Sequence, residues 1–307
     1  MLTAIPSESI FQTPTRTPRI LFSLMCLIFG AALSGFPQSS VRPQRIISIS
    51  PVITEILFGI GAFDRVVAVS DYCTYPEAVR TRPRVGGWIN TNFEKILSLR
   101  PDLVLITEPQ APFVAEQFRK LKIQYAVIPS QNLSDVFTAI DQIGRAVGQQ
   151  AEAARLAQQT RVEVDAVRMR TKNLVKRRVI AVVDRTPGTL RELTVATPGS
   201  FLAELVEIAG GQLVTTPTKA GYVTINKEAM VSLDAEMILD IAHTPSKQLG
   251  EDQQDVWAQM SALRAVRERK VRLIRDEFIL HTSQFVSRTV KLLAATMHPE
   301  VFKQENK

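Results

Sequence analysis

Two phrases in this chain repeat one arrangement of functional groups. NFEKILSLRPDLVLI begins at Asn92 and NKEAMVSLDAEMILDI at Asn226, and overlaying them matches Asn92 with Asn226, Glu94 with Glu228, Ser98 with Ser232, Leu99 with Leu233 and Leu105 with Leu239. An asparagine two places before a glutamate opens a helix: the amide caps the free N–H groups, and the carboxylate in the first turn meets the positive end of the helix dipole. For either glutamate alone that local role is explanation enough. One carboxylate at the same place in each of two related segments can also read two arginines on a symmetric partner through charge-assisted bidentate contacts. Catalytic signatures are missing: there is no G-x-S-x-G, Walker A, H-E-x-x-H or C-x-x-C. GIGAFD at Gly59–Asp64 ends a helical pattern instead of opening one after a strand, so it is not a nucleotide loop. A binding protein, not an enzyme, is expected.

The most unusual stretch is SDYCTYPEAVRTRPRVGGWIN, from Ser70 to Asn90. The chain has four tyrosines and two tryptophans, and Tyr72, Tyr75 and Trp88 all fall here, in a loop shaped by Pro76, Pro83, Gly86 and Gly87. Aromatic faces supply contact area at low entropic cost and keep a polar edge for a ligand; the alternative is that they seal the loop onto the core. The three histidines, His243, His281 and His298, are too far apart for a metal-ligand signature, so no intrinsic metal or cofactor is expected. His281, in DEFILHTSQF, stands after the last strand-like run, where it can face a cleft and ligate a metal chelate or simply make a surface hydrogen bond. Cys73 reads as a packed bystander.

The elements that position these residues form an α/β chain. Strand-like runs lie at 45–50, 65–70, 102–107, 124–129, 178–184, 236–241 and 271–275, with helical patterns at 52–61, 93–99, 110–121 and 133–147 between them. That alternation predicts parallel sheets covered on both faces. Residues 149–178 hold neither glycine nor proline, and about 28 helical residues would span about 42 Å, the length of a strut joining two lobes. TEILFGIGA at Thr54–Ala62 is echoed by AELVEIAGG at Ala203–Gly211, which with the repeated phrase argues for two related lobes. Ligands in open α/β sheets bind beyond the carboxyl ends of the strands, so two such lobes enclose a cleft.

The first residues stand apart. Arg16 and Arg19 precede the uncharged run ILFSLMCLIFGAAL and then Ser34 and Gly35, the pattern of a cleavable export leader, shorter than the roughly 20 apolar residues of a membrane span, with an uncleaved anchor as the alternative. The predicted organisation is a leader at 1–35, a first lobe at 36–148, a connecting helix at 149–178 and a second lobe at 179–307. With the leader removed, Cys73 is left without a partner for an internal disulfide, and stability rests on the core. The 307 residues carry a net charge of +7, but the basic residues are scattered, which excludes a nucleic-acid stripe. A monomer is expected.

RIISISPVITEILFGIGAFDRVVAVSDYCTYP and VGGWINTNFEKILSLRPDLVLIT resemble the first lobe of the cobalamin and iron-siderophore binding proteins of ABC importers, and the similarity returns in the closing MHPE. The resemblance implies a helical-backbone (class III) periplasmic fold with little hinge motion, a periplasmic location, and a metal chelate as ligand: cobalamin first, then a ferric siderophore or haem. It implies that Glu94 and Glu228 dock arginines of a permease dimer served by an ATPase. It also implies that Tyr72 and Trp88 cradle a corrin ring, with Phe278 near a further ligand position. Phe285 stands where relatives carry arginine, and the second-lobe loop 190–198 lacks a relative's aromatic, which leaves the chelate open; the further alternative to a transport receptor is an exported metal-cofactor enzyme or a sensor on the same scaffold.

Overall fold

The computed structural model describes residues 42–186, 188–241 and 253–302. The leader read at 1–35, with Cys26, and His243 lie outside them. Residues from Arg42 onward form one compact unit, within which two sheets are built in sequence.

The first lobe alternates β1 (Ile46–Ser48), α1 (Pro51–Gly59), β2 (Val66–Val69), α2 (Phe93–Ser98), β3 (Leu103–Thr107), α3 (Ala111–Lys120), β4 (Tyr125–Ile128) and α4 (Leu133–Val147). Its four strands are all parallel, in the order β2-β1-β3-β4. Then α5 (Gln150–Thr171) crosses to the second lobe. That lobe holds β5 (Arg177–Asp184), β6 (Leu193–Ala196), α6 (Phe201–Ile208), β7 (Gly211–Leu213), β8 (Tyr222–Ile225), α7 (Lys227–Ser232), β9 (Met237–Ile241), α8 (Gln253–Ala258), α9 (Arg264–Arg267), β10 (Val271–Ile274), α10 (Val286–Met297) and α11 (Pro299–Phe302). Its strand order is β10-β9-β5-β6-β8, with β7 also paired to β5.

Burial explains the sheets. Along β5, Val179, Ala181 and Val183 face one apolar core while Ile180 and Val182 face another. Along β3, Leu105 faces the first of these cores and Val104 and Ile106 a third. The shared core runs from Ile46 and Leu105 of the first sheet through Val164 and Val167 of α5 to Val179 and Leu239 of the second, joined by Val290 and Leu293 of α10. Both sheets thus turn one face inward onto the same helices, the period-two pattern of strands buried on both sides. Continuous apolar packing between lobes opposes hinge motion, because opening would expose it. A polar tie adds to it: Glu204 of α6 accepts a hydrogen bond from the Leu133 amide at the start of α4 (3.3 Å), and burial raises its carboxyl above the ordinary range.

Two expectations are corrected. The connecting helix has 22 residues, about 33 Å, and stops at Thr171, whose hydroxyl donates to the Ile208 carbonyl (2.6 Å). Arg177 and Arg178, read as its end, open β5, because the β-branched run that follows is buried in the sheet. The second sheet has the expected parallel core, β10-β9-β5 with β7, but carries an antiparallel edge: β6 runs antiparallel to β5 and β8, and lies within the stretch 190–198 read as a loop.

The internal repeat extends to the backbone. Gly61 after α1 and Gly210 after α6 hold matching places in the two echoing segments, and both are left-handed (φ +70 and +85). Arg100 and Asp234, at matching places after α2 and α7, are left-handed as well (φ 46 and 43).

Candidate functional site

The carboxyl ends of both sheets open onto one cleft with two adjoining compartments. The first, about 670 Å³, is lined by Ser50–Val52 after β1, Tyr72 and Trp88–Asn90 after β2, Thr107 and Pro109 after β3, and Ser130 after β4. The second, about 820 Å³, lies between the lobes: Val183 and Asp184 at the end of β5, Ser200 and Phe201 at the start of α6, and Lys219–Tyr222 entering β8. Trp88, Ser130, Leu280, His281 and Thr282 line both. Each compartment is of a size for a drug-sized or larger ligand, and its position follows the rule for open α/β sheets.

The aromatic rim is held by its loop, not by the core. Arg84 donates through Nη1 to the carbonyls of Ser70 (2.8 Å) and Cys73 (2.7 Å), and Asp71 and Gly86 exchange bonds of 3.1 and 3.2 Å. The Asn90 side chain accepts from the Gly87 amide (2.8 Å), and Thr91 donates to the Gly87 carbonyl (2.5 Å). Glycine is required twice over: a Cβ on Gly86 would strike the Asn90 carbonyl, and one on Gly87 would enter the Tyr72 ring. Tyr72 thus lies against Gly87 and stays 64% exposed, beside Trp88 at 45% and Ile89 at 92%. A rigid loop that holds three large apolar side chains out of the core, at the mouth of a cavity, marks a binding surface.

The floor of the β1–α1 turn is a buried polar network. The Thr54 hydroxyl donates to Ser48 Oγ (2.8 Å) or the Ser50 carbonyl (3.0 Å) and touches Cys73 Sγ (3.2 Å). Burial pushes the Cys73 thiol up to about 11, against the smaller opposing effect of Thr54. Pro51 then starts α1, where its missing N–H costs nothing.

Glu55, one residue on, is 1% exposed and reaches to the far end of the chain. His281 Nδ1 lies 2.7 Å from its Oε1, Ser283 Oγ donates to its Oε2 (2.5 Å), and Gln284 donates to its backbone carbonyl (2.8 Å). This strap, after β10, carries His281 to the point where the two compartments meet.

The candidate residues divide. Tyr72, Trp88 and His281 come together in the cleft. Tyr75 and Phe278 do not: they line neither compartment, and Phe278 is only 3% exposed. Tyr75 meets Phe58 (centroids 5.3 Å), Phe278 (5.6 Å) and Phe285 (5.1 Å) edge-on, and Phe278 lies 4.1 Å from Phe285. Their place is a structural cluster that seals the aromatic loop and the closing strap onto α1, and Phe285 packs there. His298 is buried, with Nε2 3.0 Å from the Gly210 carbonyl, and serves the fold.

Glu94 and Glu228 are both exposed in the first turns of α2 and α7. Asn92 and Asn226 cap those helices, accepting from the Lys95 and Ala229 amides at 2.9 and 2.8 Å. Each helix leads from the carboxyl-end side of its sheet back to the next parallel strand, so the two carboxylates hold matching places in the two lobes. Glu55 escaped sequence reading, although a lone charge inside the apolar PVITEILFG was a signal. Ile89, apolar in a polar loop, was another.

Comparison with known proteins places this architecture. The family model described as "Periplasmic binding protein" matches residues 46–278. The chain belongs to the periplasmic binding protein family. Over 268 residues this family member is 26% identical to an uncharacterized ABC transporter substrate-binding lipoprotein, YvrC, of Bacillus subtilis, covering 86% of this chain and 82% of that one. It is 25% identical over 233 residues to a vitamin B12-binding protein of Yersinia pestis, covering 75% and 77%. Its fold matches the periplasmic heme-binding protein RhuT from Roseiflexus sp. RS-1 with a TM-score of 0.72, at 22% identity over 84% of this chain and 99% of that one. The helical-backbone class III fold expected from the sequence is what the structure has. Among the described residues, no helix of this periplasmic binding protein is long and apolar enough to cross a membrane. Nor, among the described residues, is any group of three or more histidine, cysteine or acidic side chains placed to hold a metal ion.

Proposed function

We propose that this chain is the substrate-binding protein of an ABC importer, capturing a metal chelate in the interlobe cleft and delivering it to a membrane permease with its ATPase. The observation that carries this reading is the rigid rim of Tyr72, Trp88 and Ile89 beside a preformed cavity in a family of periplasmic binders. Flat apolar faces suit a tetrapyrrole, and the similarity to a vitamin B12-binding protein supports cobalamin as the first candidate. Haem and ferric siderophores are the competing ligands. The core shared by the lobes supports delivery by docking with little closure of the cleft.

Glu94 and Glu228 are the proposed docking points, one to each permease subunit, where exposed carboxylates at helix starts meet arginines. The test is uptake of radiolabelled chelate by cells carrying the cognate permease and the Glu94→Ala, Glu228→Ala double variant. Uptake is expected to fall to background while chelate affinity in solution stays within about twofold. Uptake at the wild-type level overturns the docking assignment.

A further inference from the structure

We propose that His281 is the protein's own ligand to the metal of the captured chelate. The cleft then selects chelates whose metal keeps an exchangeable axial position, a ferric porphyrin or an aquo-corrinoid, over siderophores that fill every coordination site. This rests on the reading of the cleft as a metal-chelate site and narrows its substrate class.

Glu55 orients the imidazole. A carboxylate 1% exposed inside an apolar helix is costly unless both oxygens are satisfied. Here one faces His281 Nδ1 at 2.7 Å and the other accepts from Ser283 at 2.5 Å. With its Nδ1 hydrogen given to Glu55, the neutral imidazole carries its lone pair on Nε2. That is the arrangement in which metal-binding histidines are held, the carboxylate fixing tautomer and ring orientation and raising the basicity of the free nitrogen. Nε2 has no hydrogen-bond partner among the described residues, whereas His298, the buried structural histidine, uses its own Nε2 on a carbonyl. The ring of His281 lines both compartments and keeps 20% of its side-chain surface open, next to the aromatic rim. Ser283, on the second carboxylate oxygen of Glu55, and Gln284, on the Glu55 backbone carbonyl, fix the strap just beyond His281 and so hold the imidazole in place.

The step is a ligand exchange without redox change. The bond between metal and water breaks, the bond from Nε2 to metal forms, and water leaves; in the tautomer that gives its Nδ1 hydrogen to Glu55, no proton moves. A histidine that only staples the strap to α1 needs its Nδ1 and nothing from Nε2, and this difference is what spectra can read.

The experiment is a titration of the full chain with ferric protoporphyrin and with aquocobalamin, followed by visible absorbance, with metal-free protoporphyrin as control. The wild type is expected to give the imidazole-ligated spectrum. His281→Ala and His281→Gln, the latter keeping a donor for Glu55, lose that spectrum, and free imidazole restores it. Binding of the metal-free ring is indifferent to either change. Glu55→Gln weakens the metallated ligand by roughly 10- to 100-fold. A bound chelate whose spectrum ignores His281→Ala overturns the ligation and leaves the cleft reading intact. Binding of a ferric hydroxamate, with neither tetrapyrrole bound, also overturns it while keeping the chelate reading. Failure to bind any of these sinks the chelate reading itself.

Discussion

Removing the Trp88 indole asks where the ligand rests. In the free protein this side chain lines both compartments with 45% of its surface open. A tryptophan offers roughly 250 Å², so about 110 Å² is available for a ligand to cover. At about 25 cal/mol per Å², full coverage is worth about 2.8 kcal/mol and half coverage about 1.4 kcal/mol. Trp88→Ala should therefore weaken binding by about 10- to 100-fold. The loop is held by Arg84, Asp71, Asn90 and Thr91, none of them through the indole, so stability should barely change. The assay is an equilibrium titration of wild type and variant with the same chelate, beside a thermal melt of each. Affinity within twofold of wild type, with an unchanged melt, would refute the placement of the ligand on this ring.

Three further outcomes follow from single contacts. Gly87→Ala drives a methyl into the Tyr72 ring, so it should displace that ring and cost affinity comparable to Tyr72→Ala, read by the same titration. Asp240 is buried and paired with Arg185 (3.0 Å), and the Trp257 indole N–H donates to it (2.8 Å). Asp240→Ala leaves a buried cation unpaired and should cost about 3–5 kcal/mol in denaturant unfolding. With its thiol pushed up to about 11 by burial, Cys73 should be about one part in a thousand thiolate at pH 8. Peptide mapping should find it unlabelled in the native protein and labelled after denaturation.

Much of this architecture is legible from residue types, for identifiable reasons. β1 to β5, β9 and β10 announce themselves because their runs are written largely in β-branched and aliphatic residues. The repeat is legible because a left-handed helix end needs a particular place, and Gly61 and Gly210 mark it. β6, β7 and β8 are not legible: each has three or four residues, β6 follows directly on Arg191 and Glu192, and their pairing depends on a sheet assembled from distant segments. The end of α5 misleads because lysine and arginine suit a helix terminus and a strand opening equally well. Within the site, Tyr72 and Tyr75 look alike in sequence, three positions apart in one loop. Only Phe58, Phe278 and Phe285, brought from elsewhere in the chain, decide that Tyr75 belongs to the packing and Tyr72 to the cleft. The pairing of Glu55 with His281 has the same origin, since nothing local links two residues so far apart.

Capture of a metal chelate in the interlobe cleft is decided by binding in solution. Isothermal titration calorimetry of the chain against aquocobalamin, ferric protoporphyrin and a ferric hydroxamate siderophore tests it most directly. Saturable, stoichiometric binding of a tetrapyrrole is expected, lost or much weakened in Trp88→Ala. A folded chain that binds none of the three would contradict it.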